Sequence, residues 1–143
     1  MHDRPSMKKI LIAFLVGFSF LFTSCGDSSE DVANDTMSVM EDLTEIVKGV
    51  NDGDDAEKAI KKIKALKDDL TSIKERTEKL DEGKSDEEKK AASKEFKEKY
   101  GEKMAKIEGE LKGEMTKLPT SGTVGAADVL KAIIELMSEM SEM

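Results

Sequence analysis

The sequence predicts an all-α fold, an elongated antiparallel bundle of three long helices and a shorter fourth. Three observations carry this. Apolar residues recur at steps of three and four over most of the chain, and nowhere does a two-residue alternation last long enough for a strand. Clusters of Gly, Asp, Asn, Ser and Pro cut that pattern at three places. Charged residues make up 38% of the chain against 4% aromatic, so the core must be built from Leu, Ile, Val, Met and Ala, in the manner of a coiled coil.

The first helix is expected over about residues 30–50. Ser28 or Ser29 supplies its cap, and acids in its first turn face the positive end of the helix dipole. Val32, Met40, Leu43, Val47 and Val50 form one face, joined by Thr36 or Met37 and by Ile46. Asn51-Asp52-Gly53-Asp54-Asp55 breaks it, with Gly53 free to turn left-handed and Asp54 and Glu57 spaced as a capping box for the next helix. Ala59, Ile63, Leu66, Leu70, Ile73, Thr77 and Leu80 then alternate steps of four and three, an apolar seam of heptad type.

Gly83 ends that helix, and Ser85 with Glu88 opens the third, expected over about 86–117. The connection is short, which predicts antiparallel neighbours. Ala92, Phe96, Tyr100, Met104, Ile107, Leu111, Met115 and Leu118 mark the inner stripe of a rod roughly 48 Å long. Gly101, Gly109 and Gly113 interrupt it. Ala105, Gly109 and Gly113 share one side, which reads either as a flat strip for a neighbouring helix or as a weak spot in the rod. Pro119 to Gly125 is a loop, and the last helix, about 126–141, carries Ala126, Val129, Leu130, Ile133, Ile134, Leu136, Met137 and Met140.

The segment ahead of these helices reads as an address. Lys8 and Lys9 precede an apolar run from Ile10 to Phe22, and Thr23-Ser24-Cys25-Gly26 follows. The run is 13 residues, too short for the roughly 20 that span a bilayer, and its small residues precede the only cysteine of the chain. This resembles the signal of bacterial lipoproteins, with Phe22 standing where the box usually has Leu. The resemblance implies cleavage before Cys25, a diacylglycerol on its thiol and usually an acyl chain, such as palmitate, on the new amino group. Residues 1–24 are then the signal peptide, with Met7 as the initiator, 25–29 an acidic tether and 30–143 the helical domain. Gly26 follows the cysteine where inner-membrane retention favours Asp, so the resemblance leans towards the outer membrane.

Cleavage there leaves 119 of 143 residues, one modest domain. Losing Asp3, Arg4, Lys8 and Lys9 takes 31 acids and 23 bases to 30 and 20, a net charge of −10. Such a surface repels nucleic-acid phosphates and anionic headgroups, so attachment to the membrane falls to the lipid at Cys25. The single histidine, His2, lies ahead of the signal, and the resemblance implies that the lipid consumes the Cys25 thiol. The mature part therefore lacks imidazole and free thiol, the commonest proton-transfer and nucleophilic groups near neutral pH, and no catalytic residues or cofactor are expected.

Two constellations invite metals. Asp52, Asp54, Asp55 and Glu57 cluster oxygens but miss the twelve-residue calcium loop and its closing glutamate, so they read as caps and a solvated turn. Met137, Met140 and Met143 stand three apart, resembling the methionine motifs of extracytoplasmic copper proteins. Thioethers in that spacing suit Cu(I), yet methionine is also a common core filler. The functional expectation is an envelope-tethered, non-catalytic binding or structural module for a protein partner, with the apolar side of the last helix as the contact for that partner or for self-association. Cu(I) binding through Met137, Met140 and Met143, or carriage of apolar cargo in an internal cavity, are the alternatives.

Overall fold

The computed structural model describes residues 28–141. They form four α-helices, α1 (Ser29–Lys48), α2 (Gly53–Asp81), α3 (Asp86–Lys117) and α4 (Ala126–Ser141), with a short 3-10 turn at Pro119–Ser121 and no strand. The expected all-α bundle is what the chain forms, and the helix bounds fall within a few residues of those set by periodicity.

Local chemistry fixes the ends. At the start of α1 the Ser28 hydroxyl accepts the Asp31 amide N–H at 3.1 Å while the Asp31 carboxylate accepts the Ser28 amide N–H at 3.2 Å. Ser85 and Glu88 make the same reciprocal pair at the start of α3. Two donors that the helix would leave orphaned are satisfied at each end. Gly83, at φ 79°, ends α2 in the left-handed region as expected.

One turn differs from the sequence reading. The cap of α2 is Asp52, whose carboxylate accepts the Asp55 amide N–H at 2.8 Å, while Asp55 accepts the Asn51 amide N–H at 3.3 Å. Asp54 is inside the first turn and Gly53 is its first residue, not a left-handed breaker. The reach from Asp52 to the third amide decides it, because that oxygen satisfies a donor that Asp54, two residues on, would leave open.

Packing puts α1 and α2 at the centre of the fold. α1 lies against both α2 and α3, and α2 lies against both α1 and α4. Directions follow from the ion pairs. Asp35 meets Arg76, so α1 and α2 run antiparallel. Glu30 meets Lys99 at 3.0 Å and Lys48 meets Glu110 at 3.6 Å, so α1 and α3 run parallel. Gly125 lies against Ala56 and Glu139 pairs with Lys67 at 2.6 Å, so α4 runs parallel to α2. Consecutive helices thus alternate in direction, yet α2 and α3 are not close neighbours despite their short connection. Their seams both turn towards α1.

The core is continuous from end to end. Val32, Met37, Met40 and Leu43 of α1, Ile63 and Leu70 of α2, Leu111 and Met104 of α3, and Val129 and Ile133 of α4 are all 2% exposed or less. Thr36, Thr44 and Thr77 are buried with them, each hydroxyl donating to the carbonyl four residues earlier at 2.8 Å. The hydroxyls cost nothing in unmet hydrogen bonds, so small polar side chains fit where α1 approaches its neighbours.

Two ends result, and they differ. The turn after α1, the 3-10 turn and the loop before α4 share the far end, where the Thr123 hydroxyl donates to the Asn51 carbonyl at 3.5 Å. Ser28, the α2–α3 turn and the end of α4 point the other way. At its Glu139 contact α4 has reached only Lys67, and α2 runs 14 residues further, about 21 Å, to Asp81.

Candidate functional site

Cys25, the one site residue the sequence assigns with a motif, lies outside the described residues, as does Met143. The fold fixes where the described helices begin relative to it. Ser28, three residues after Cys25, is the cap of α1, and Ser29, assigned to the tether from sequence, is already its first residue and is 2% exposed. The Ser28 hydrogen bonds hold the Asp31 carboxyl below the usual range, which keeps this cap charged and closed near neutral pH.

Along the sides, the helices leave shallow, solvent-open grooves. Between α1 and α3 a cleft of about 340 Å³ is lined by Glu41, Thr44, Glu45, Lys103, Ile107 and Glu110. Lys103 pairs with Glu41 at 3.3 Å, and Lys48, near the same edge, pairs with Glu45 at 2.8 Å. Between α1 and α2 a smaller cleft of about 230 Å³ holds Asp35, Asp42, Asp69 and the Arg76 guanidinium, which donates to Asp35. Another, of about 400 Å³, is lined by Ile46, Lys62, Ala65 and Leu66 with Asp42 and Glu45. Acids outnumber bases among the lining residues of all three. Each groove is therefore net negative, which disfavours a phosphate or other small anion there.

The acidic turn places Asp52 and Asp55 on backbone amides, and Asp55 also lies 3.9 Å from Lys58. Among the described residues no three carboxylates converge on one point. Met137 and Met140 are 5% and 1% exposed, packed in the common core with Met37 and Met40, each 1% exposed. Their thioethers fill space between helices. The apolar face of α4 is spent in the same way, with Val129, Ile133, Leu136, Met137 and Met140 buried and Ile134 left 43% exposed.

Phe96 and Tyr100 pack as a tilted pair with centroids 5.2 Å apart on the inner side of α3, where the sequence places core anchors. Lys99 lies 5.3 Å from the centre of the Tyr100 ring, and the Glu30 carboxylate holds its ammonium above the usual lysine range. Glu108, which the sequence reading passed over, is half-buried on α3 with one carboxylate oxygen lacking a hydrogen-bond partner, and burial pushes its carboxyl up. Its signal is faint in sequence, one acid flanking the Met104–Met115 stripe.

No family model, no curated protein and no solved structure matches this chain. What can be said of its role rests on its own residues. No described helix is long and apolar enough to cross a membrane.

Proposed function

We propose that the protein is a lipoprotein of the bacterial cell envelope, cleaved before Cys25, held by lipid on that thiol, and acting without catalysis as a binding or structural module for a protein partner. The observation that carries this is the ordered set of Lys8-Lys9, the apolar run Ile10–Phe22 and Thr23-Ser24-Cys25-Gly26, immediately ahead of a helix cap at Ser28. A folded domain that begins three residues after the lipid site suits a tethered module, since two or three acyl chains hold a soluble bundle firmly where one does not.

The non-catalytic part of the proposal rests on residue inventory. After the leader there is no histidine and no second cysteine, and at the groove between α1 and α3 Lys48 pairs with Glu45 and Lys103 with Glu41. Long helix faces studded with both signs of charge are the surface such a module has to offer, and rim charges of this kind set partner orientation and encounter rate. Placement in the outer membrane belongs to the same proposal, on the strength of Gly26.

Replacing Cys25 with Ser tests it. The variant is expected to leave the membrane fraction and to lose incorporation of labelled palmitate, while crosslinking of the native protein in intact cells recovers one reproducible partner. Unchanged membrane association of Cys25→Ser would contradict the tether, and crosslinking without a specific partner would contradict the binding role.

A further inference from the structure

Building on the lipoprotein reading, we infer that the bundle meets the membrane end-on, with the α2–α3 turn at Glu82–Ser85 against the lipid headgroups and the opposite end, at residues 49–53 and 118–125, presented outwards. Two geometric facts set this. Asp35 pairs with Arg76, so the start of α1 lies beside the end of α2, and the short Glu82–Ser85 turn brings the start of α3 to that same end, while Glu30 meets α3 further along, at Lys99. Cys25 is three peptide steps from Ser28, a reach of at most about 11 Å. The anchor therefore holds that end at the surface, while the 29 residues of α2 carry the other end about 43 Å away along the bundle.

A short tether limits height but leaves tilt free, and the flanks decide the tilt. A helix that lies on a membrane needs an apolar stripe or a basic one. Among the described residues the large apolar side chains left exposed are Val124, in the outward loop, and Ile134 on α4. The most basic stretch is Lys58, Lys61, Lys62 and Lys64 on α2, and it is interleaved with Asp54, Glu57 and Asp68 on the same side. Lying flat brings a domain of net charge −10 within one screening length, about 8 Å, of anionic headgroups. Standing on the turn keeps most of that charge beyond it.

The lipid's thioether occupies Cys25, so one engineered cysteine is the only free thiol in each variant. Glu82→Cys at the turn, Ala65→Cys in the middle of the basic stretch and Thr120→Cys at the far end are each purified from membranes in acylated form, labelled with a fluorophore and placed in vesicles of phosphatidylethanolamine and phosphatidylglycerol containing a headgroup spin-labelled lipid. Quenching several-fold stronger at Glu82→Cys than at Ala65→Cys, and least at Thr120→Cys, is the expected order. Equal quenching at Ala65→Cys and Glu82→Cys, or the reverse order, overturns the end-on placement while leaving the anchor intact. An intact mass without acyl chains overturns both, and is read before the vesicles are made.

Discussion

Ser28 and Ser85 each close a reciprocal ring with an acid three residues later, and both rings stand at the same end of the molecule. Replacing either serine with Ala is expected to lower stability by about 1 kcal/mol, the usual worth of such a cap, as measured by urea denaturation at pH 7. The hydrogen bonds hold Asp31 and Glu88 below their ordinary values of 3.8 and 4.5. Depressed carboxylates contribute stability that is full above the unfolded value and is lost as pH falls through the folded one. The penalty of Ser85→Ala is thus expected to shrink as pH is taken from 6 towards 3. Glu108 has the opposite sign. Burial raises its carboxyl above the ordinary 4.5, so the charged form is disfavoured in the fold and stability is gained as pH falls. Glu108→Gln is expected to raise the melting temperature modestly at pH 7 and to lose that advantage near pH 4; a variant less stable at pH 7 would mean the carboxylate has a partner.

The glycines of α3 and of the last loop separate two kinds of helix position. A Cβ at Gly101, Gly109 or Gly113 meets nothing within 4 Å, so no other described helix comes close to those positions. Gly101→Ala and Gly109→Ala are each expected to stabilise the bundle by up to about 1 kcal/mol, because only the conformational cost of glycine is removed. Gly125→Ala is expected to destabilise it, since φ there is +84° and the new methyl sits 3.0 Å from the Ala56 Cβ. Thermal melts of the three variants distinguish these positions. The four helices themselves were legible, because capping pairs and seams of step three and four are short-range signals. The α2 seam from Ala59 to Thr77 is buried throughout. Less legible was the width of the buried face of α1. Ala33, Val39 and Thr44 lie outside the stripe the periodicity marks, and they are buried because α1 touches α2 on one side and α3 on the other. A heptad seam carries no direction, so it could not reveal that the close flanks of α1 and α3, and of α2 and α4, are parallel. Asp52 is hard to single out as the cap because three aspartates within four residues, Asp52, Asp54 and Asp55, offer equivalent caps, and only the fold of Val50 to Asp52 chooses between them.

At the scale of the whole molecule, the proposed lipid site rests on the sequence alone, and the fold adds that α1 is capped three residues after Cys25. The partner surface was not legible. The expected contact, the apolar side of α4, is largely used inside the monomer, so what the bundle shows to others is charge along its length and loops at its outer end. Those paired charges contribute little to stability, a few tenths of a kcal/mol each, and are free to be re-paired with a partner. The proposed acylation at Cys25 is what would make this bundle an envelope component, and the mass of the protein recovered from the membrane fraction reads it directly. A chain beginning at Cys25 and carrying a diacylglycerol with an added acyl group is expected; a chain that retains residues 7–24, or that bears a free thiol, would contradict the assignment.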